Sequence, residues 1–386
     1  MGRSQARVLF VDSCIPMAGG QHSLIEVLKC LDPSRVFPVV CTPAGSGLRA
    51  RCESLGFRSE PLPFESESSL AEGRSRVLWK AKDLVSSAYG VPYLAALIRK
   101  LRIDIVHPNN FKAALVATPA CALAGKPMVF HDRIHITHGW LGRYVASRAT
   151  RIIAVSETVR RKYGGDFDAK SVVIPPGIDT ELFKPAGKIG SGNLVCYVGR
   201  ISEEKDLVRL AECAPAVIRA VGDAGFVIAG IPWTDRDSAY LSGLERRIKS
   251  MGLVDRFEFP GYVEDVAGLL GRIDVFALPS AKEPLGRVMI EAMLMEKPVV
   301  AFDAGGPAEV IEHGRTGFLA KPGSAQSLAE GIVLLLKDAG LRTEIGKAAR
   351  ESVIDRFSNR VVAESIMGVY EDMLAGRVGA GSGHAS

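Results

Sequence analysis

Two glutamates eight positions apart, Glu283 and Glu291, bracket the segment EPLGRVMIE, which lies between the strand-like runs IDVFALPS and KPVVAF. Carboxylates so placed can exchange a proton, hold separate hydroxyls of one ligand, or stand as solvated charges on a helix. Pro284 suits a first helical turn, which leaves Glu283 in the preceding loop and Glu291 on the helix itself. Helical rise over that interval separates their Cα atoms by about 12 Å. The distance argues against a shared proton, and against a glycosidase, whose carboxyls flank one bond at about 5 to 9.5 Å. Two carboxylates gripping different hydroxyl-bearing parts of an extended ligand fit better. The backbone amides around Leu285 and Gly286 then face anionic groups between those parts.

Four other stretches carry residue types suited to the same chemistry. In SCIPMAGGQHSL, Gly19 and Gly20 follow a strand and open a helix expected to begin near Gln21. Such glycines either make a turn or let backbone N–H groups approach an anion closely. In CYVGRISEEKDL, Arg200 ends a strand and Lys205 lies near a helix start. They are either a solvated charged loop or two cations bracketing a pyrophosphate. DAGGPAEVIEHGRTGFL is a second glycine-rich strand-to-helix turn, with Gly305 and Gly306 after the strand and Glu309 on a short helical piece. In VFHDRIHITH, His131 and Asp132 end the strand KPMVF. A lone histidine is more often structural, and a strand C-terminus raises the weight of a functional role. His135 and His138 follow without a matching carboxylate cluster, so no metal site is expected.

The elements that must position these residues alternate along the chain. RVLFV, FPVVC, DIVH, KPMVF, RIIAV and SVVIP read as strands in the first half; LVCYV, GFVIAG, RFEFP, DVFALP and KPVVA do so in the second. Segments between them, such as SLIEVLKCL and SLAEGIVLLLKDA, have helical spacing. The alternation predicts an α/β fold of parallel sheets covered by helices. A chain of 386 residues fits two such domains. The Pro- and Gly-rich stretch PPGIDTELFKPAGKIGSGN marks their junction. The domains are therefore expected at 1–187 and 188–358, with a docked helix at about 360–375 and a disordered tail over 376–386. Two doubly wound domains facing each other would set their strand C-terminal ends around one interdomain cleft.

Composition narrows the partners. Residues 1–187 carry 25 Lys/Arg against 16 Asp/Glu, a balance of +9, and the remainder carries −4, for +5 overall. A basic first half points to phosphate groups, a lipid-linked acceptor or an anionic membrane surface. Its basic residues are dispersed and not interleaved with aromatics, which disfavours nucleic acid. Seven cysteines lack metal or disulfide spacing and read as reduced thiols of a cytoplasmic protein. No apolar run reaches the length of a membrane span, and the N-terminal run is too short for a secretory signal. RSRVLWKAKDLVSSAYGVPYLAALIRKLR (Arg74–Arg102), with Trp79, Tyr89 and Tyr93, is either an interfacial helix or an ordinary helix packed on the first sheet and interrupted near Pro92.

Taken in order, these pieces resemble the retaining glycosyltransferases of family 4 (glycosyl transferases group 1), which have the GT-B fold of two Rossmann-like domains. EPLGRVMIE is similar to the family's E-x7-E motif, YVGRISEEKDL to its Arg…Lys phosphate site, VIPPGIDTELFKP to its interdomain signature, and GGPAEVIEHGRTGFL to its glycine-rich segment. The likeness spans nearly the whole chain and is strongest from about Val172 to Leu319. It implies a metal-independent, hexosyltransferase-type enzyme that moves a sugar, with retention, from a nucleoside diphosphate sugar to the hydroxyl of a glycan or lipid-linked acceptor. Surface polysaccharide, lipopolysaccharide and glycolipid synthesis are the implied settings, in the cytoplasm or peripheral at the inner membrane face. The donor is a substrate, and no cofactor is implied.

By position, Glu283 would contact the sugar hydroxyls and Glu291 the ribose. Arg200 and Lys205 would stabilise the departing diphosphate. Gly19 and Gly20 would approach the phosphates from the other domain, His131 would lie near the transferred sugar, and Pro284, Leu285 and Gly286 would complete the cradle. Two stretches depart from the family pattern: GIPWTDRD stands where many members have Gly-Asp-Gly-Pro, and GGQHSL replaces a Gly-Gly-Ala-Glu-Arg type. A sugar-nucleotide epimerase, a phosphorylase and a non-catalytic nucleotide-sugar-binding protein are the competing readings. Incubation of donor without acceptor separates the first from a transferase.

Overall fold

A computed structural model describes residues 5–64, 89–185 and 193–376. The chain divides into two compact units, one of Met1–Gly177 with Asn359–Ser386, the other Ile178–Ser358. The first unit runs β1 (Ala6–Val11), α1 (Gly19–Cys30), β2 (Val36–Thr42), α2 (Gly47–Ser54), β3 (Arg58–Pro61), α3 (described over 89–100), β4 (Ile105–Pro108), α4 (Phe111–Ala124), β5 (Val129–Asp132), α5 (Gly139–Arg148), β6 (Arg151–Ala154), α6 (Glu157–Arg161) and β7 (Ser171–Val173). The second runs β8 (Leu194–Val198), α7 (Leu207–Ala220), β9 (Gly225–Ala229), α8 (Asp235–Ser250), β10 (Phe257–Gly261), α9 (Val266–Arg272), β11 (Val275–Leu278), α10 (Arg287–Leu294), β12 (Val299–Phe302), α11 (Pro307–Val310), β13 (Phe318–Ala320), α12 (Ala325–Lys337) and α13 (Ala339–Val353). Helix α14 (Asn359–Leu374) then returns to the first unit.

Both sheets are parallel and doubly wound. In the second unit the spatial order is β10-β9-β8-β11-β12-β13. In the first, β3-β2-β1-β4 and β5-β6-β7 are joined by a parallel bridge between Val106 and Met128. Strand order therefore reverses once per unit, between β1 and β4 and between β8 and β11. Ligands of such sheets bind beyond the strand C-termini at these reversals. Central strands β4, β5, β11 and β12 are buried at every position, because helices cover both faces of a parallel sheet. Edge strand β10 instead alternates half-buried and exposed residues.

Helix starts follow side-chain chemistry. The Asn110, Ser156, Thr234, Ser324 and Asp338 side chains each accept a backbone N–H in the first turn of α4, α6, α8, α12 and α13. Each cap contributes about 1 kcal/mol. Cores are separate: Tyr197, Phe226, Phe276 and Phe302 fill the second unit, while Phe10 and Phe130 lie buried in the first. Burying each such side chain is worth about 1.5–3 kcal/mol.

The junction falls earlier than the expected 187/188, at Gly177/Ile178. Ile178 donates its N–H to Phe357 O at 2.9 Å, and Phe183 lies in the second core, so residues 178–185 of the Pro-rich stretch belong to the second unit. Helix α14 lies against α1: Arg35 donates to Glu371 at 2.9 Å and to Glu364 at 2.7 Å, and Asn359 donates to Glu26 at 3.0 Å. The tail from 377 and residues 74–88 of the aromatic-basic stretch, Trp79 included, lie outside the described residues. Within 89–100 the helix continues through Pro92 and buries Leu94, Ala95 and Ile98 in the core. No helix among the described residues is long and apolar enough to cross a membrane.

Candidate active site

In the second unit, the loops after β8 and β11 meet at the strand reversal. Val198 ends β8, Gly199 and Arg200 follow, and a single 3-10 turn (Glu203–Lys205) delivers Lys205 before α7 begins. Lys205 Nζ donates to Glu283 Oε2 at 2.5 Å, with both side chains largely buried. Ser280, just past β11, donates to Glu204 O at 3.1 Å and ties the two loops together. Arg200 does not join Glu283. Its guanidinium donates to Glu204 at 2.9 Å and lies 5.3 Å over the Trp233 ring. Its carbonyl accepts the buried Tyr197 hydroxyl at 2.9 Å, which fixes the backbone where the side chain departs.

Pro284 does not enter the first helical turn. Helix α10 begins only at Arg287, with Gly286 as its N-cap at φ +92°, a left-handed conformation that favours glycine. Glu283, Pro284 and Leu285 therefore all belong to the loop, and the amides of Leu285 and Gly286 sit just ahead of the helix. Glu291 is on the helix as expected, buried, and accepts from Arg287 Nε at 2.7 Å one turn back. In the sequence Arg287 carries no motif of its own. Only its four-residue offset from Glu291 could have signalled it.

The Gly305-Gly306 turn has a structural task. Gly306 donates its N–H to Glu283 O at 2.9 Å. A Cβ on Gly305 would lie 2.5 Å from that same oxygen, and one on Gly306 would lie 2.7 Å from Leu285 N. The second glycine-rich loop thus presses on the backbone of the first and holds Glu283 from behind. Glu309 sits on the short helix α11. In GIPWTDRD, Gly230 abuts the Gly199 carbonyl so closely that a Cβ would overlap it.

The first unit gathers a second polar cluster at its own reversal. Asp12, just past β1, accepts from Gln21 at 2.8 Å, Asn109 at 2.6 Å, Asn110 at 3.0 Å and the Cys14 N–H at 2.8 Å. Burial pushes its carboxyl pKa up, against the pull of the Asn109, Cys14 and Gln21 hydrogen bonds and of the Arg133 charge. Asn109 also donates to Gly20 O at 3.3 Å, so the glycine pair is anchored through its carbonyl. Helix α1 begins at Gly19 rather than near Gln21, and the Gln21 side chain folds back to accept the Ala18 N–H at 3.2 Å. Arg133 donates to Asn109 at 3.0 Å and Ser23 at 3.2 Å.

His131 and Asp132, adjacent on β5, point to opposite faces, as alternation requires. His131 is buried against His107 and Arg133. Burial first, then the charge of Arg133 and the His107 ring, hold its pKa well below the ordinary value. Asp132 instead accepts from Lys162 at 2.7 Å inside the fold, and Lys162 also donates to the carbonyls of Ile134 and Ile136 at 2.8 and 3.0 Å. That pair pins the loop that follows His131. His138 stacks on Phe111, centroids 3.7 Å apart. Among the described residues no group of three His, Cys, Asp or Glu is arranged to hold a metal. Asp12, Asn109 and Arg133 carry no local sequence signal, because they come together only through the order of β1, β4 and β5.

Residues 179–352 match the model of the glycosyl transferases group 1, and residues 17–182 match that of glycosyltransferase family 4. The chain is 31% identical over 286 residues to a phosphatidyl-myo-inositol mannosyltransferase of Mycobacterium leprae (strain TN), covering 69% of this chain and 73% of that one. It is 30% identical over 195 residues to an N-acetyl-alpha-D-glucosaminyl L-malate synthase of Bacillus anthracis, where it spans about half the length of either protein (50% and 49%). In fold it is similar to Anabaena Alr3699/HepE in complex with UDP, with a TM-score of 0.79 and 24% identity over 95% of this chain and 100% of that one. Two doubly wound sheets of the GT-B type, both family models and the mannosyltransferase likeness together place the chain in glycosyltransferase family 4, the glycosyl transferases group 1.

Proposed function

We propose that this protein is a retaining, metal-independent glycosyltransferase that moves a sugar from a nucleoside diphosphate sugar to an acceptor hydroxyl in surface polysaccharide, lipopolysaccharide or glycolipid synthesis. The observation that carries the reading is the Lys205–Glu283 pair at the strand reversal of the second unit, backed by the Gly305-Gly306 turn. A cation and a carboxylate so joined suit a ligand with a phosphate beside a hydroxyl-bearing ring. Anabaena Alr3699/HepE is described in complex with UDP-glucose, which makes that donor the first to try.

In the proposed mechanism the C1–O bond to the diphosphate breaks, and its electron pair leaves with the phosphate. Lys205, and Arg200 once it leaves Glu204, would stabilise the charge accumulating there, assisted by the amides of Leu285 and Gly286. Glu283 would hold the sugar hydroxyls and Glu291 the ribose, with Pro284 shaping the loop between. Gly19, Gly20 and His131 of the first unit are proposed as the remaining donor contacts. The acceptor oxygen would form the new bond on the face the diphosphate leaves, giving its proton to the departing phosphate. Cations already present make a divalent metal unnecessary in this scheme.

A panel of UDP, GDP, ADP and TDP sugars with EDTA, read by thermal shift and then by glycoside formation, tests the proposal. Stabilisation by one donor class and transfer in EDTA are expected. Binding without turnover over a broad acceptor panel would favour a nucleotide-sugar-binding protein instead. Association with an anionic membrane surface is proposed on the +9 balance of residues 1–187. It predicts co-sedimentation with phosphatidylglycerol vesicles that is lost at high salt.

A further inference from the structure

The buried carboxyl of Asp12 collects donors from the β1–α1 loop, from α1 and from the β4–α4 turn. Its Oδ1 accepts the Cys14 N–H at 2.8 Å and Asn110 Nδ2 at 3.0 Å. Its Oδ2 accepts Gln21 Nε2 at 2.8 Å and Asn109 Nδ2 at 2.6 Å. A side-chain amide can be turned either way, and each of these three is set by a group that only donates. The Ala18 N–H meets Gln21 Oε1 at 3.2 Å, the Ala113 N–H meets Asn110 Oδ1 at 2.9 Å, and Arg133 Nε meets Asn109 Oδ1 at 3.0 Å. All three amides therefore turn their NH2 groups to Asp12. A protonated carboxyl would set its own O–H against one of these donors, so the arrangement requires Asp12 as a carboxylate. With two bonds accepted at each oxygen, Asp12 keeps no lone pair with which to act as a base.

These bonds converge on the glycine turn. Gln21 runs from Asp12 back to the Ala18 N–H, and Asn109 donates a second bond to Gly20 O at 3.3 Å. The first turn of α1 is thus held before and after Gly19-Gly20. The first N–H groups of a helix have no intrahelical partner, so this backbone presents donors whose direction is set by what holds the turn. Two glycines left to themselves would be its least constrained part. Gln21 is also where the chain departs from the Gly-Gly-Ala-Glu-Arg type: an alanine there has no polar atom to reach Asp12 or Ala18. We propose that Asp12 and Gln21 are positioning residues, an ionised clamp that fixes the Gly19 and Gly20 amides for the phosphates of the donor. The proposal rests on the glycosyltransferase reading for the phosphates, and on the geometry alone for the clamp.

The surrounding groups leave that charge in place. Burial raises the Asp12 pKa, and the Asn109, Cys14 and Gln21 bonds and the Arg133 charge oppose it. Cys52 of α2 feels the same carboxylate: burial first, then Asp12, pushes its thiol up to about 11. Beyond Arg133, burial and then the Arg133 charge hold His107 at about 3 and His131 well below its ordinary value. At neutral pH these three groups are uncharged, so Asp12 and Arg133 are the charges that face each other across Asn109.

The test uses the full-length protein. The 13C shift of the Asp12 carboxyl should be that of a carboxylate at pH 7. Asp12→Asn keeps the shape but sets an NH2 group against two of the four donors. The Gly19 and Gly20 amide resonances should then shift, and kcat/KM for the donor sugar should fall about tenfold, the effect of one buried donor left unpaired. Adding Gln21→Glu to Asp12→Asn reverses the polarity of one bond at unchanged net charge, the amide now donating and the carboxylate accepting. The pair should recover most of the loss and move both glycine resonances back toward wild type, whereas Gln21→Glu alone sets two carboxylates together and should be worse than the pair. Gln21→Met leaves Asp12 in place and covers the case in which Asp12→Asn does not fold; it should shift the same resonances and lower kcat/KM about fivefold. A protonated Asp12 at pH 7, or glycine resonances unmoved in these single variants, would overturn the clamp. Shifted resonances with unchanged kcat/KM, or no recovery in the pair, would overturn its positioning role. If the wild type turns over no donor in the panel, the glycosyltransferase reading fails while the clamp is still judged on the carboxyl shift and the glycine resonances.

Discussion

Replacing Gly306 by alanine should damage the proposed donor site without touching any charged group. The new Cβ would overlap Leu285 Cα and lie 2.7 Å from both Leu285 N and Pro284 O, and the nearby Gly306 N–H to Glu283 O bond is 2.9 Å long. All three obstacles are backbone atoms, so no side-chain rotation can relieve the overlap. Ordinary contact needs about 3.5–4.0 Å, so one loop must retreat by more than about 1 Å. Overpacking of that kind costs about 1–3 kcal/mol of stability. The loop that retreats carries Glu283, and misplacing a binding group by about 1 Å costs about 100-fold in kcat/KM. The assay is kcat/KM with the donor found by the panel, alongside the urea midpoint. Gly222→Ala serves as the control in the same unit, because a Cβ there meets nothing within 4 Å. Gly306→Ala within twofold of wild type in kcat/KM would refute the idea that this turn sets the position of Glu283.

Lys205→Met should weaken nucleoside diphosphate binding more than tenfold, since it removes a cation and strands the largely buried Glu283; titration calorimetry in EDTA reads it. Lys162→Met leaves Asp132 buried and uncompensated and should cost about 3–5 kcal/mol in urea unfolding, and adding Asp132→Leu should restore most of it. Gly368→Ala, in the interior of α14 with open space around it, should stabilise by about 1 kcal/mol. Acid should destabilise through His107. Its folded pKa, about 3, lies below the unfolded value, so its contribution is complete above about pH 6.5 and is lost as pH falls toward 3. Between pH 6.5 and pH 4.5 that is about 2–3 kcal/mol, read as the difference in urea midpoints between wild type and His107→Gln.

Much of the scaffold could be read from the residues, because parallel strands buried on both faces leave continuous apolar runs such as VFAL and VVAF. Two strands escaped for physical reasons. RSEP is a polar edge strand ending in proline, and FLA is only three residues long. The E-x7-E spacing foretold a loop carboxylate and a helix carboxylate, but not that Gly286 delays the helix to Arg287. Arg200 and Lys205 read as twin cations, yet only Lys205 reaches Glu283, because Trp233 and Glu204 hold the other aside. Contacts made by strand order alone could not be seen. Asp12 and Asn109 are 97 positions apart, and His107 and Tyr370 are 263 apart.

Glycoside formation from a nucleoside diphosphate sugar in EDTA, followed by 1H NMR for wild type and Glu283→Ala, tests the central claim most directly. The account predicts transfer by the wild type without metal, a product whose anomeric coupling matches that of the donor, and a loss of at least 100-fold in Glu283→Ala. An inverted anomeric centre, an absolute requirement for a divalent cation, or full transfer by Glu283→Ala would contradict it.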